Sequence, residues 1–162
     1  PKSRLILKNS DNNSNSKFIL NKFSNEGVNI DNIFIYNKVP DMRDHMNLYN
    51  SIDIALDTFP FNGATTTFEA LWMGVPVITF SGKTHASRVS SSILYNLNLE
   101  TLIAKDVMDY QKKVVEISNN DKFLFDMRQG LRNLMKNSYL CDGKSFASEI
   151  EEKYYEIWNH NH

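Results

Sequence analysis

Asp57-Thr58-Phe59-Pro60-Phe61-Asn62-Gly63-Ala64-Thr65-Thr66-Thr67 joins the apolar run Ile52-Asp53-Ile54-Ala55-Leu56 to a segment where Phe68, Leu71, Trp72 and Val75 recur at helical spacing. The short, β-branched run reads as a buried parallel strand, and the recurrence reads as one face of a helix. The stretch is therefore strand, glycine turn and helix start. At a helix start the first backbone N–H groups lack intrahelical partners and the dipole is positive, so phosphate oxygens are favoured there. Thr66-Thr67-Phe68-Glu69 also fits a capping box, in which a threonine hydroxyl and a glutamate satisfy those N–H groups within the chain. One threonine is enough for that, and further threonines lower helix propensity. The surplus hydroxyls point to a ligand, and a nucleotide is the expectation.

The same alternation extends on both sides. Leu5-Ile6-Leu7 reads as a strand, Ser10 to Ser16 as a polar turn, and Phe18, Ile19, Leu20 and Phe23 as a helix ending at Gly27. Ile33-Phe34-Ile35-Tyr36 follows as a strand, Asp41 to Tyr49 as a helix, and Asp53 to Leu56 as the third strand. Beyond the threonines, Val75 to Phe80 gives a fourth strand, Ala86 to Leu97 a helix, and Leu102-Ile103-Ala104 a fifth strand. Strands alternating with helices predict an α/β fold, a Rossmann-like parallel sheet with helices on both faces. From Val107 onward the period is helical only, with stripes at Tyr110, Val114 and Ile117, at Phe123, Met127, Leu131 and Leu134, and at Phe146, Ile150, Tyr154, Ile157 and Trp158. These C-terminal helices are expected to pack on the sheet or on a neighbouring domain. Trp72 and Trp158 are expected in the core.

The 162 residues suit one domain with a real core, and residues 1–162 are read as a single nucleotide-binding domain. A net charge of −1 with interspersed lysines and carboxylates offers no basic field for nucleic acid. The single Cys141 allows no intrachain disulfide and no cysteine metal cluster, which suits a reducing, cytoplasmic setting. No run has the length of a membrane span. The chain begins at Pro1 and enters a strand almost at once, so a fragment of a longer protein is expected.

In a doubly wound sheet, ligands lie beyond the carboxyl ends of the strands. The loops after Leu7, Tyr36, Leu56 and Phe80 qualify. The second carries Val39, Pro40, Asp41 and His45; the third carries the threonines; the fourth carries Ser81-Gly82-Lys83-Thr84-His85 and Arg88. Neither a Gly-x-Gly-x-x-Gly fingerprint nor a P-loop occurs, and no Asp-x-Asp pair or His/Glu cluster offers a divalent cation site. Phosphates are expected to be held by protein donors without a metal. By residue type alone, His45 is a surface or capping histidine, Lys8 a surface lysine and Arg88 a salt-bridged helix residue.

Several blocks in order go further: Ser3-Arg4-Leu5-Ile6-Leu7-Lys8-Asn9, His45-Met46-x-x-Tyr49, Asp53-Ile54-Ala55-Leu56-Asp57-Thr58-Phe59-Pro60, Glu69-Ala70-Leu71-Trp72-Met73-Gly74-Val75-Pro76 and Ala86-Ser87-Arg88-Val89. Together with Ser145-Phe146-Ala147 and Tyr155-Glu156-Ile157-Trp158, they resemble the C-terminal catalytic half of the O-linked N-acetylglucosamine transferase and SPINDLY family of glycosyltransferases. The resemblance implies the C-terminal lobe of a GT-B fold, which binds a nucleotide-sugar donor and works with an N-terminal lobe and, in the parent, tetratricopeptide repeats. It implies that Pro40 and His45 approach base and ribose, that Thr65 and Thr66 on the Asn62-Gly63-Ala64 turn hold the diphosphate, and that Glu69 is an acidic ribose ligand. Lys8 and Arg88 are secondary candidates. No catalytic residue is assigned to this half.

The implied reaction is inverting transfer of a sugar from a nucleotide diphosphate to a protein serine or threonine. UDP-N-acetylglucosamine is the favoured donor, with GDP-fucose or UDP-glucose as alternatives. Ala64 stands where the animal N-acetylglucosamine transferases have a histidine, and the SPINDLY proteins, which use GDP-fucose, also have a small residue there. The rival readings are a nucleotide-binding regulatory module without transferase activity, and an epimerase or phosphorylase lobe of similar architecture.

Overall fold

The computed structural model describes residues 3–8, 14–36, 39 and 41–160. The fold is α/β, and the chain divides into two compact units, Pro1–Ile52 and Asp53–His162.

In the first unit, β1 (Leu5–Lys8) pairs in parallel with β2 (Ile33–Tyr36), Leu5 opposite Ile33 and Lys8 opposite Tyr36. The crossover between them is α1 (Ser14–Asn25), as a parallel pair requires. Next comes α2 (Met42–Leu48), opened by Asp41, whose Oδ1 accepts from the N–H groups of Arg43 at 2.7 Å and Asp44 at 3.2 Å. This is an N-cap that ties down two of the orphan donors at the helix start. Among the described residues of this unit, Ile33 and Tyr49 are the buried apolar ones.

In the second unit, β3 (Ala55–Leu56), β4 (Val77–Phe80) and β5 (Ile103–Ala104) form a parallel sheet with β4 central. Ala55 lies opposite Val77, Leu56 opposite Ile78, and Thr79 opposite Ile103. The outer strands are shorter than the apolar runs suggest, because Ile52 to Ile54 and Leu102 fall outside the ladder. The central strand is buried along Val77, Ile78 and Thr79, as a strand covered on both faces must be.

Helix α3 (Thr65–Trp72) leads from β3 to β4, and α4 (Val89–Asn96) from β4 to β5. The second is shorter than expected, since His85 to Ser87 form a separate 3-10 turn. Helices α5 (Val107–Ser118), α6 (Asp121–Lys136) and α7 (Gly143–His160) complete the unit. Leu71, Val75, Ile78, Leu94, Leu97, Leu102, Leu131 and Met135 form its core.

The end of α3 is built for close contact. Gly74, at φ +77°, ends the helix while Gly74 N–H donates to Leu71 C=O at 3.0 Å and Val75 N–H to Ala70 C=O at 2.8 Å; this is a Schellman motif. A Cβ at Gly74 would stand 2.6 Å from the Arg128 carbonyl oxygen of α6, so only glycine lets the two helices meet there. Arg128 Nη1 donates to Met73 C=O at 2.9 Å and Arg132 Nε to Trp72 C=O at 2.8 Å, placing cations on the negative end of α3.

The expectation that both tryptophans are core residues is corrected. Trp72 is 37% exposed and carries the Arg132 guanidinium 5.6 Å from its ring centroid, and Trp158 is 62% exposed. On α6 the buried residues are Leu131 and Met135, with Leu134 exposed. No residue of the α7 stripe is buried, and Phe146, Ile150, Tyr154, Ile157 and Trp158 are all exposed. Among the described residues, no helix is long and apolar enough to cross a membrane.

Candidate functional site

The turn from Asp57 to Ala64 carries β3 into α3, and the structure holds it from inside. Thr58 Oγ1 donates to Phe61 C=O at 2.6 Å, and Asn62 Nδ2 donates to Thr58 C=O at 2.9 Å. Asn62 N–H donates to Ala86 C=O at 2.9 Å, and the rings of Phe59 and Phe80 pack at 4.8 Å between centroids. The β3–α3 turn and the β4–α4 loop are thus stitched to each other. Asn62 is 2% exposed, and its Oδ1 has no hydrogen-bond partner among the described residues. A buried acceptor left in that state costs about 1–3 kcal/mol.

Gly63 is gripped at both backbone polar atoms. Its N–H donates to Asp57 Oδ1 at 2.7 Å, and its carbonyl accepts from Ser90 Oγ at 2.9 Å. Ser90 Oγ stands 2.8 Å from Thr67 Oγ1. With the Ser90 proton committed to Gly63, the Thr67 hydroxyl is the donor in that pair. Thr67 is 2% exposed and its hydroxyl serves the fold. The three threonines therefore split, with Thr65 and Thr66 exposed and Thr67 buried.

The capping box is not what opens this helix. α3 starts at Thr65, so Thr66 lies within its first turn, and the N-cap position belongs to Ala64, which supplies no side-chain hydrogen bond. The first helical bond runs from Phe68 N–H to Ala64 C=O at 3.1 Å. A helix start without a side-chain cap keeps its dipole and first N–H groups directed at whatever lies beyond it. Glu69 follows Thr65 by four residues and Thr66 by three on α3, a spacing that puts all of them on one helical face. Asn62, Gly63, Ala64, Thr65, Thr66 and Glu69 are thus brought together on one turn and one helix face.

In the first unit, Lys8 Nζ donates to His45 Nδ1 at 2.8 Å, and the His45 ring meets Tyr49 edge-on at 5.7 Å. An ammonium can only donate, so Nδ1 is the acceptor of this bond. Lys8 and His45 form one element of that unit. Pro40 lies outside the described residues. Arg88 is exposed at the junction between the His85–Ser87 turn and α4. Among the described residues, no group of three or more His, Cys, Asp or Glu is placed to hold a metal ion.

Sequence reasoning gave no role to Asp57, Thr79, Ser90 or Tyr110. Thr79 Oγ1 donates to Asp57 Oδ2 at 2.6 Å, and Tyr110 of α5 donates its hydroxyl to Asp57 C=O at 3.0 Å. An aspartate at a strand end before a turn is a recognisable Asx signal, whereas nothing in local sequence connects Tyr110 with a residue 53 positions away. Burial, and then the Asp57 charge, push the Tyr110 phenol up to about 12 from 10.0. A group whose folded value is raised binds its proton more tightly in the folded state. Its contribution is therefore complete below pH 10 and is lost as pH rises toward 12. In tyrosinate absorbance titrations, Tyr110→Phe should remove an ionisation near pH 12 that the unaltered protein retains. Identical curves from the two proteins would refute the assignment.

Glycosyl transferase family 41 matches residues 1–150. The chain is similar to a probable UDP-N-acetylglucosamine–peptide N-acetylglucosaminyltransferase SPINDLY of Eustoma exaltatum, 44% identical over 117 residues, and to its counterpart in Solanum lycopersicum, 42% identical over 116. Each alignment covers 72% of this chain, and 13% and 12% of those proteins respectively. A UDP-N-acetylglucosamine–peptide N-acetylglucosaminyltransferase of Caenorhabditis elegans is 30% identical over 124 residues, 76% of this chain and 11% of that protein. Among solved structures, a mutant O-GlcNAc transferase of Thermobaculum terrenum superposes with a TM-score of 0.89 at 32% identity, covering 96% of this chain and 30% of the other. The chain spans about an eighth of the curated relatives it matches. With a family match that runs through both units and includes the Asn62–Glu69 turn, the chain belongs to Glycosyl transferase family 41.

Proposed function

We propose that this chain is the donor-binding half of an inverting protein O-glycosyltransferase, and that the start of α3 receives the diphosphate of a nucleotide sugar. The observation that carries the reading is the helix start itself: Ala64 gives no side-chain cap, and Thr65 and Thr66 are exposed on a turn held rigid from within. Glu69, on the same face, is the ribose ligand of this reading. By the family resemblance, Pro40 and His45 are the residues for base and ribose, with Lys8 and Arg88 as secondary contacts.

In the reaction, the bond between the anomeric carbon and the phosphate oxygen breaks as a serine or threonine hydroxyl of the acceptor forms the new glycosidic bond. The acceptor loses its proton, and the departing diphosphate gains charge. Donors already aimed at that charge stabilise the transition state more than the bound substrate, which is the condition for raising the rate. The acceptor protein is read as docking against the remainder of the protein, an N-terminal lobe preceded by tetratricopeptide repeats. The single exposed thiol of Cys141 suits a cytoplasmic protein.

N-acetylglucosamine is the favoured sugar, from the names carried by the relatives. Ala64 supports a second reading, GDP-fucose, because the small side chain removes a donor that a histidine would bring to the phosphates. UDP-glucose is the remaining alternative. Transfer by the parent protein from UDP-N-acetylglucosamine, GDP-fucose and UDP-glucose to serine- and threonine-containing peptides decides among them. The same assay tests metal dependence, since helix-terminal N–H groups and hydroxyls take the place of a cation. Activity should be unchanged by EDTA, and a loss reversed by magnesium or manganese would contradict the reading. Transfer from none of the three donors would leave a nucleotide-binding module.

A further inference from the structure

We propose that Asp57 is the positioning residue of the diphosphate site, fixing the turn that aims the start of α3. The inference rests on the reading of that helix start as the diphosphate-binding element. Donors from both ends of the turn converge on one carboxylate. Asp57 Oδ1 accepts from Thr58 N–H at 3.1 Å and from Gly63 N–H at 2.7 Å, and Oδ2 accepts from Thr79 Oγ1 at 2.6 Å. Thr79 is fully buried on the central strand β4, so the carboxylate is anchored to the middle of the sheet. The Asp57 backbone is held as well, its N–H donating to Ile78 C=O at 3.0 Å and its C=O accepting from Tyr110.

A loop that leaves and re-enters the same side chain has little freedom to change its exit direction. Gly63, where it re-enters, lies two residues before Thr65. A site must be held to within about 0.5 Å to be productive, by supports that are themselves locked. The charge of Asp57 is compatible with a neighbouring anion because its oxygens are turned inward onto three donors. Such charge-assisted bonds are short and strong. The role is geometric, so an acceptor in the same place should suffice without the charge. In Asp57→Asn, the amide oxygen can still accept from Thr58 and Gly63, and the amide nitrogen can donate to Thr79 Oγ1.

The test is calorimetric titration of UDP and of GDP into the unaltered protein, Asp57→Ala, Asp57→Asn and Thr79→Val, with amide hydrogen exchange read over residues 58–64. Asp57→Ala should weaken binding by about tenfold or more and speed exchange in the turn, as loss of charge-assisted hydrogen bonds would. Asp57→Asn should return affinity to within about threefold, and Thr79→Val should fall between. Folded Asp57→Ala that binds as tightly as the unaltered protein would overturn the proposal, even if its melting temperature drops. If Asp57→Ala does not fold, Thr79→Val binding at full affinity, or Asp57→Asn binding worse than Thr79→Val, would overturn it instead. An unaltered protein that binds neither UDP nor GDP would refute the diphosphate reading itself.

Discussion

Gly63→Ala should abolish most nucleoside diphosphate affinity while destabilising the fold by about 1–3 kcal/mol, the range for forcing extra atoms into a packed site. A Cβ at Gly63 would stand 2.5 Å from Thr66 Oγ1 and 2.8 Å from Thr67 Oγ1. Thr67 cannot yield cheaply, because it is buried and its hydroxyl is bonded to Ser90. The strain therefore falls on Thr66 and on the turn, and both belong to the proposed phosphate cradle. Urea denaturation and UDP titration of the same preparation separate the two effects. A folded variant with undiminished affinity would mean that the cradle lies elsewhere.

Replacing Thr65 and Thr66 together by alanine should reduce sugar transfer sharply and hardly change stability. Each lost donor to a developing oxyanion lowers turnover by about 10²–10³, or roughly 2.7–4 kcal/mol of barrier. A capping threonine would cost about 0.5–2 kcal/mol of stability when removed. Ala64 occupies the N-cap, however, and both threonines are exposed. The expected stability change is within about 0.5 kcal/mol, as for an ordinary surface substitution, with the higher helix propensity of alanine acting in the favourable direction. Thermal melts beside peptide glycosylation rates in the parent protein check this. Unchanged turnover would remove the threonines from the mechanism, and a collapse of the melting temperature would return them to a structural role.

Much of this was legible in residues 52–72 because local chemistry and tertiary structure agree there. Strand, glycine turn and helix formed in the expected order, although the strand is confined to Ala55–Leu56 and leaves the β-branched Ile52 and Ile54 outside it. What was not legible depended on long-range partners. Three threonines in a row look equivalent until Ser90, 23 residues on, takes the hydroxyl of Thr67. Trp72 reads as core from its apolar face, but Arg132, which donates to its backbone carbonyl, also covers its ring and leaves it at the surface. Asp57 looks like an ordinary turn residue until Thr79 and Gly63 are seen to converge on its carboxylate. The α7 stripe was legible as a pattern, but none of its residues is buried.

The claim on which the account depends is that the start of α3 holds the donor diphosphate. A crystal structure of the protein with UDP-N-acetylglucosamine, or with GDP-fucose should that be the donor bound, tests it most directly. The account predicts diphosphate oxygens within hydrogen-bond distance of the backbone N–H groups and hydroxyls of Thr65 and Thr66, with Glu69 facing the ribose and no metal between the phosphates and the protein. A diphosphate seated away from α3, or bridged to the chain by a divalent cation, would contradict it.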